Sequence, residues 1–366
     1  MGTTLIINPS SVISTYCYSI FRVEPSSYCQ FSCLYCYARW YRQSDEKLTQ
    51  QHLREFIKFV KYLKRREISK IPPFRLSTLV EPFQNDDKCL RRSIRILKLC
   101  AEYGIPMIVN TKSTQVVKDE IISILQKLNE NRLVLVQVSL CTLNEEVSKK
   151  LEPNAPRPED RLKIIEKLAS EGIPVAVRYQ PLIPSIVEKE YESLVQQIKA
   201  AGAVHIIVES LRVDAATLKT LCNILPELRN IRWVSYVESL GSVLLSPPRD
   251  WRVTTEQAIR DLCAKYGINF AVCKEDTFYL TTCEDCCGIY MINRDRVIKR
   301  ITILDLYRIG KIPDSMDMLD RIAKERGFID LDYINTMPRP VRKVLKWHYK
   351  LLLKNINKIL KVSRAE

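Results

Sequence analysis

Short β-rich runs alternate with amphipathic helical runs over the first two thirds of the chain. In Asp45–Arg66, for example, Phe56, Val60 and Leu63 recur at the spacing of one helix face. Leu133–Leu140 is a nearly continuous apolar run, which is typical of a strand buried on both faces. The predicted strands are Tyr18–Val23, Phe74–Val80, Ile105–Asn110, Leu133–Leu140, Pro174–Tyr179 and Ala203–Glu209. The predicted helices that follow them are Asp45–Arg66, Asp87–Tyr103, Thr114–Leu128, Pro158–Glu171, Ile186–Ala201 and Ala215–Leu228.

This strict alternation of strand and helix predicts an α/β protein with a parallel sheet and helices outside it. The six strand–helix units fit either an open sheet or a partial barrel. In barrels, the catalytic residues lie at the carboxyl ends of the strands. We therefore expect the informative residues to lie just after each strand.

The alternation weakens past residue 230, where Ile231–Val237 fits a seventh strand or part of a helix. Further predicted elements are a helix over Thr254–Tyr266, a strand over Ile268–Val272 and one amphipathic helix over Pro340–Val362. We therefore expect a barrel over residues 1–230 and a C-terminal extension over residues 231–366.

The composition excludes several classes of protein. The 366 residues are 46% hydrophobic, which is too apolar for a disordered chain. No stretch approaches the ~20 apolar residues of a membrane-spanning helix, and Met1–Ser14 lacks the pattern of an export signal. We therefore expect a cytoplasmic protein without a membrane partner. In that reducing compartment its 13 Cys are expected to be metal ligands, catalytic groups or core residues rather than disulfides.

Three cysteines directly follow the first predicted strand. Cys29, Cys33 and Cys36 form C-x3-C-x2-C within eight residues, so their thiolates can converge on one metal centre. A [4Fe–4S] cluster takes four Cys, and three would leave one iron open to another ligand. The alternatives are three core thiols, or a zinc site that takes a distant fourth ligand.

These residues resemble the radical S-adenosylmethionine (SAM) superfamily, whose hallmark is C-x3-C-x-Φ-C after the first strand of a partial (β/α)6 barrel. The aromatic residue of that pattern is Tyr35 here, which the resemblance places at the cofactor. The resemblance implies that Cys29, Cys33 and Cys36 hold three irons and that the fourth chelates SAM. It also implies reductive cleavage of SAM to a 5′-deoxyadenosyl radical, with an electron from a reductant such as ferredoxin or flavodoxin.

Charged and polar residues at other strand ends fit the same resemblance. Glu81, in Thr78–Pro82, matches the acidic residue that meets the SAM ammonium group, although the glycines that usually precede it are missing. Ser139 and Arg178 end the fourth and fifth predicted strands, where they are placed to reach ribose or carboxylate. The alternative for Glu81 and Arg178 is that they are solvated charges on the rim.

Further motifs resemble the branch of the superfamily that contains spore photoproduct lyase. They are Cys36–Arg39, Asn110–Ser113, Leu151–Pro156 with Arg161, and Gln180–Pro184. The lyase cleaves a thymine dimer in DNA and uses a Cys near the end of its second strand as hydrogen donor. Ser77 and its neighbours offer no thiol there, so Cys141 is a candidate substitute donor, or else a core residue. Tyr37 and Tyr179 are candidate radical relays.

A second group of cysteines lies in the C-terminal extension, between residues 273 and 287. Its members are Cys273, Cys283, Cys286 and Cys287. Four thiolates at this spacing predict a structural zinc or an auxiliary iron–sulfur cluster. Cys286 and Cys287 are adjacent, so one of them need not bind, and Cys263 or Cys17 could then complete the set. The alternative is a disulfide or incidental thiols; Cys89, Cys100 and Cys222 are predicted to be core.

The formal net charge of +15 is concentrated at the C-terminus. Residues 337–366 carry nine Lys and Arg and one acidic residue, which is a net charge of +8. Apolar residues at helical spacing in the same segment predict a basic C-terminal helix with one packed face. A contact with nucleic-acid phosphates is the functional hypothesis, and a solvated helix that closes the barrel is the alternative, with binding to a membrane surface or to a calmodulin-like protein less favoured.

Three functions remain open from the sequence. The first is a radical SAM enzyme acting on nucleic acid, by repair of a DNA lesion or modification of RNA. The second is a radical SAM enzyme acting on a peptide or small molecule. The third is a non-enzymatic, metal-stabilised nucleic-acid-binding protein, which the open three-Cys site disfavours because a structural metal site would be closed.

Overall fold

Seven parallel strands form the central sheet of the computed structural model, which describes residues 5–7, 13–40, 45–236 and 244–363. Along the sheet the strand order is β1-β2-β3-β4-β5-β6-β9, and every neighbouring pair is parallel. The strands are β1 (Phe21–Val23), β2 (Phe74–Leu76), β3 (Met107–Thr111), β4 (Val134–Ser139), β5 (Val175–Leu182), β6 (His205–Ser210), β7 (Val234–Ser235), β8 (Leu245–Ser246) and β9 (Asn269–Val272). Strands β7 and β8 form a separate antiparallel pair.

Helices connect the strands and cover the outer face of the sheet. They are α1 (Ile13–Tyr16), α2 (Glu46–Arg65), α3 (Asp87–Tyr103), α4 (Asp119–Glu130), α5 (Glu145–Leu151), α6 (Pro158–Ser170), α7 (Val187–Ala200), α8 (Ala215–Ile224), α9 (Arg249–Lys265), α10 (Ile303–Ile309), α11 (Met316–Glu325), α12 (Leu331–Thr336) and α13 (Arg339–Ser363). This arrangement confirms the predicted partial (β/α)6 barrel and adds β9 as a seventh parallel strand.

Local chemistry sets the ends of several helices. Asp86 caps α3 by accepting the amide of Cys89, and Gly104 closes that helix in the left-handed conformation with a φ of 64°. Two predicted helices are shorter in the structure. Lys118 is extended and separates a 3-10 turn over Thr114–Val117 from α4. Pro226 disfavours a helical Leu225, so α8 ends at Ile224.

Alternate residues of each strand face two different environments. In β3, Met107 and Val109 pack in the large core beneath the helices, whereas Ile108 packs in a smaller core inside the barrel. Gln137 and Arg178, on β4 and β5, also turn inward. The inner face therefore carries polar and charged side chains that the apolar strand pattern does not reveal.

The C-terminal third fills the barrel from within. Ile289 and Ile292 pack against Ile108 and Leu135. Gly288 has a φ of 76°, and a Cβ built there would lie 2.9 Å from Leu135 Cδ2. The interior plug, residues 283–292, thus requires a glycine at its closest approach to β4. The boundary predicted at residue 230 does not separate two sheets, because β9 lies beyond it and pairs with β6.

Helix α13 is amphipathic, as its apolar spacing predicts. Leu345, Leu352 and Ile356 are buried, whereas Lys350 and Lys354 are exposed. The helix packs against α1, where Asn355 Nδ2 donates to Thr15 Oγ at 3.2 Å. Helix α1 precedes β1, and the ring of Tyr16 lies 5.8 Å from that of Phe278, just after β9. Helix α13 therefore lies beside the seam between the two edge strands. No helix within the described ranges is long and apolar enough to cross a membrane.

Candidate active site

The three-cysteine loop lies between β1 and a 3-10 turn over Tyr37–Trp40. Cys29, Cys33 and Cys36 form no disulfide among the described residues, and each is partly exposed. The amide of Cys36 donates to the carbonyl of Cys33 at 3.1 Å, and Ser32 has a φ of 50°. Burial raises the pKa of Cys33 to about 12, while Lys112 opposes the shift and the two neighbouring thiols add to it. The loop therefore holds three partly exposed thiols, and the central one is influenced by both of the others.

Hydrogen bonds from two strand-end loops hold this loop in place. Gln84, after β2, accepts the amide of Gln30 at 2.9 Å. Asn154, after α5, donates to the carbonyl of Gln30 at 2.9 Å, and Leu34 N donates to Leu151 O at the same distance. The thiols are thus fixed at the carboxyl end of the sheet by residues far away in sequence.

A buried ion network lies behind the loop. Glu152 and Arg161 are both almost fully buried and form an ion pair, and Lys112 Nζ lies 3.6 Å from Glu152 Oε1. The Tyr35 hydroxyl donates to the same carboxylate. Burial would raise the pKa of Glu152, but Arg161 and Lys112 outweigh it and hold the pKa below its usual value. Glu152 is therefore charged, and it anchors the aromatic residue of the cysteine loop.

Two predicted site residues are enclosed by protein. Cys141 is 2% exposed, and burial raises the pKa of its thiol, as does the nearby Glu152. Its placement beside Tyr35 puts it behind the loop, and its role as hydrogen donor stays a prediction. The buried Glu81 accepts from Thr111 Oγ at 2.6 Å, Lys112 N at 2.8 Å and Phe83 N at 3.1 Å. These hydrogen bonds hold the Glu81 carboxylate at the end of β3. A contact between Glu81 and SAM stays a prediction.

Ser139, the last residue of β4, lies beside Arg178, as the strand register requires. Arg178 is in the middle of β5 rather than at its predicted end, because the strand continues to Leu182. Arg178 donates to Gln137 Oε1 at 2.9 Å, and its Nη2 lies 3.8 Å from Cys273 Sγ. It therefore points into the barrel toward the second cysteine group rather than over the rim. Between the two candidate relays, Tyr37 is 46% exposed at the rim, whereas Tyr179 packs in the outer core.

The predicted second cysteine group lies inside the barrel, where its four members are buried in one small core. Cys286 Sγ is 3.8 Å from Cys287 Sγ and hydrogen-bonds Cys273. Cys17 interacts electrostatically with Cys287 and Cys273. Cys283 instead turns to backbone carbonyls, at 3.5 Å from Phe270 O and 3.4 Å from Asp285 O. Cys17 therefore interacts with the group, and Cys283 packs in the same small core as Cys286 while its thiol turns to backbone carbonyls. Which of these cysteines bind a metal stays a prediction.

The acidities of these thiols differ. A hydrogen bond with Cys286 lowers the pKa of Cys287 to about 6, with burial opposing and Arg75 assisting. The pKa of Cys273 is likewise lowered, first by its hydrogen bond with Cys286. Burial raises the pKa of Cys283 to about 12. The hydrogen bonds of Cys286 and burial thus shift the pKa values of these thiols in opposite directions.

The cysteine loop fits a [4Fe–4S] cluster by the chemistry of its donors. Three thiols in one loop, partly exposed, supply one ligand to each of three irons and leave the fourth accessible. Within the described residues, no group of three or more His, Cys, Asp or Glu is placed to hold a single metal ion.

Residues 23–198 match the family model described as the Radical SAM superfamily. This match assigns residues 23–198, slightly less than half of the chain, to the radical SAM superfamily. An uncharacterized protein of Mycobacterium tuberculosis is 25% identical over 263 residues, which are 68% of this chain and 75% of that protein. An uncharacterized protein of Acidianus two-tailed virus is 26% identical over 140 residues, and the match spans 37% of this chain and 45% of the viral protein.

A solved structure shares the fold of this radical SAM protein. It is a spore photoproduct lyase mutant with bound AdoMet and dinucleoside spore photoproduct. The TM-score is 0.52 at 15% identity, over 69% of this chain and 76% of that chain. At that identity the likeness concerns the fold alone, and it agrees with the partial barrel described above.

Sequence reasoning missed several residues that build the site. It assigned no role to Lys112, Glu152 or Arg75, although Lys112 and Glu152 lie in the motifs that carry the resemblance. A charged residue directly after a buried strand was the available signal for Lys112. Arg75 occupies a short apolar strand, where an interior cation is itself unusual and points to an anionic neighbour.

Proposed function

We propose that this radical SAM protein is an enzyme that holds a [4Fe–4S] cluster on Cys29, Cys33 and Cys36, binds SAM there and abstracts hydrogen from a nucleic-acid substrate. The observation that supports it best is the seating of the cysteine loop. The three thiols lie in one partly exposed loop that follows β1, at the carboxyl end of the sheet, which is where barrel enzymes place their chemistry. A buried ion pair fixes the loop there through Tyr35.

When bound and reduced, the cluster and SAM would together supply a carbon radical able to take hydrogen from an unactivated position. The chain's own residues aim that chemistry and shield it. Glu152 and Arg161 hold the loop rigid, and the interior plug keeps water out of the lower barrel. Exposed Tyr37 stands at the rim, its hydroxyl donating to Thr78 O at 2.9 Å.

Two features support nucleic acid as the substrate class. Tyr37 offers an aromatic face beside the cysteine loop, and Lys274 Nζ lies 5.6 Å from its ring centre, a pairing suited to a stacked base and a phosphate. Helix α13 adds an exposed cationic side. The fold is also that of a protein solved with a dinucleoside photoproduct. Repair of a DNA lesion, as in a lyase, and modification of RNA both remain within this proposal.

The electron would come from a reductant such as ferredoxin or flavodoxin. A cleft of about 670 Å³ borders the loop and is lined in part by Gln30, Phe31 and Asn154. The cleft exposes this side of the loop to solvent. We expect the redox protein to dock there. Both the thiols and the reductant suit the reducing cytoplasm.

Formation of 5′-deoxyadenosine tests the proposal. Anaerobically reconstituted protein, reduced with dithionite and given SAM, is expected to release 5′-deoxyadenosine, and to release more with DNA or RNA oligonucleotides than with a peptide of similar size. Protein that carries iron and sulfide yet releases none would refute the enzyme assignment. Equal release with oligonucleotide and peptide would refute the substrate class.

Salt dependence tests the role of α13. Each Lys that neutralises a phosphate adds about one unit to the slope of log affinity against log salt. Replacing the exposed Lys350 and Lys354 by Gln is therefore expected to reduce that slope by about 2 units for a DNA duplex. Fluorescence anisotropy over a range of salt concentrations measures it.

The matched control is Lys199→Gln with Lys219→Gln. It removes the same charge from exposed positions on α7 and α8. This control is expected to leave the slope nearly unchanged. If both double variants lower the slope equally, the contact is a diffuse effect of net charge and α13 is not the interface.

A further inference from the structure

Four thiols from three separate stretches of the chain lie together inside the barrel. Cys17, Cys273, Cys286 and Cys287 are 7%, 4%, 5% and 2% exposed. Cys17 precedes β1, Cys273 follows β9, and the other two belong to the interior plug. We call these four residues the interior thiol group. Cys286 contacts both Cys287 and Cys273, and Cys17 lies within electrostatic range of Cys287.

Buried arginines point at this group. Arg75, 6% exposed, places Nη2 3.1 Å from Cys287 Sγ, and its other bonds go to the neutral Ser19, Asn110 and Gln137. Within the described part of the chain no carboxylate lies in ion-pair distance of it. A buried charge is costly unless an opposite charge compensates it. Among the described residues, the Cys287 sulfur is therefore the group placed to compensate the positive charge of Arg75.

Two further buried arginines also lie close to residues of this group. Arg178 Nη2 lies 3.8 Å from Cys273 Sγ, with Glu209 3.9 Å away on the rim side. Arg300 is 3% exposed and donates through Nε to the carbonyl of Cys17 at 2.5 Å. Its buried Nη2 has no hydrogen-bond partner among the described residues. Cations outnumber carboxylates around these sulfurs, which indicates an anionic ligand larger than a single thiolate.

We propose that Cys17, Cys273, Cys286 and Cys287 bind a second [4Fe–4S] cluster inside the barrel and that Arg75, Arg178 and Arg300 balance its negative charge. Four thiolates give every iron a protein ligand, so this cluster is closed where the one on the cysteine loop is open. The proposal concerns a different site and holds whether or not SAM is cleaved.

The location suggests what the cluster does. The central sheet is open between its edge strands β1 and β9. Cys17 lies at one edge and Cys273 at the other, so a common ligand joins the two edges and ties the interior plug to both. Metal binding to a site that exists only in the folded chain adds directly to folding stability. The cluster therefore stabilises the closed barrel by linking its two edges.

Iron analysis in a variant that lacks the first cluster tests this. Cys29, Cys33 and Cys36 are all replaced by Ala, and the protein is reconstituted anaerobically with iron and sulfide. We expect about four irons and four sulfides per chain to remain, with an electron paramagnetic resonance signal after reduction. In that background Cys17→Ala is expected to remove most of the iron, whereas Cys283→Ala is expected to retain it.

Three results would overturn the proposal. They are a folded triple variant without iron, one zinc in place of the iron, or equal loss of iron in the Cys17 and Cys283 variants. Circular dichroism reports folding in each case. Where Cys17→Ala does not fold, Cys17→Ser replaces it, with a changed resonance signal expected and an unchanged one counting against the site. Because no variant in this series can cleave SAM, the outcome is independent of the proposed enzyme activity.

Discussion

Replacing Cys33 by alanine is expected to abolish release of 5′-deoxyadenosine by the reduced protein. The cysteine loop supplies only three thiolates, one for each of three irons, so none is redundant. Cys33 is the central member of the motif, and its thiol interacts with both neighbours and with Lys112. Removing it leaves two thiols, which cannot keep a cluster that already lacks a fourth protein ligand. Chromatographic quantification of 5′-deoxyadenosine, with iron content on the same sample, measures the effect.

The matched control is Cys100→Ala. Cys100 is fully buried on α3 in the outer core, away from both cysteine groups, so the same atoms are lost without touching a proposed ligand. We expect this variant to release 5′-deoxyadenosine at a rate close to that of the unchanged protein. Turnover by Cys33→Ala at the control's rate would contradict the assignment of the loop as the cluster site.

The order of strands and helices could be predicted because each element carries its own signal. Leu133–Leu140 contains β4, and the C′ glycine predicted at Gly104 ends α3. The strand predicted at Ile268–Val272 is present, but its place beside β6 depends on pairing between residues distant in sequence. Local periodicity identifies a strand and does not identify its partner.

The same limit explains the second cysteine group. Sequence spacing joins Cys283 to Cys286 and Cys287, because they lie within one loop. In the folded chain Cys283 turns to Phe270 O, while Cys17 arrives from the other edge of the sheet. The presence of a cysteine group could thus be predicted, whereas the approach of Cys17 to it depends on the closure of the barrel.

Site residues at strand ends show a third kind of limit. The sequence predicts that Glu81 and Arg178 lie at the ends of strands. In the structure β2 already ends at Leu76, and Arg178 lies in the middle of β5. The sequence does not show which hydrogen-bond partners these two side chains have in the folded chain. The Glu81 carboxylate accepts hydrogen bonds from Thr111 and two backbone amides. Arg178 donates to Gln137 inside the barrel. Hydrogen bonds formed on folding therefore decide which rim residues remain available to a ligand.

Replacing Glu152 by glutamine is expected to destabilise the protein more than any surface substitution. Arg161 is fully buried, and Glu152 is the carboxylate that neutralises it. Removing one partner of a buried ion pair costs about 3–5 kcal/mol, because the remaining charge is left uncompensated. Lys112, whose Nζ lies 3.6 Å from the same carboxylate, loses its partner as well. The free energy of unfolding, from urea titration followed by circular dichroism, measures the loss.

Two companion variants separate the buried charge from other causes. Glu159→Gln removes a carboxylate from the same region, but that residue is exposed and paired with Lys163, so little change in the unfolding midpoint is expected. Glu152→Gln with Arg161→Met removes both charges of the buried pair and is expected to regain part of the stability. Tyr35 then still lacks its anionic acceptor, so the cysteine loop should bind iron less tightly even in the restored protein. If the single variant loses no more stability than Glu159→Gln, the pair does not anchor the loop, and the support for the active site would have to come from Gln84 and Asn154 alone.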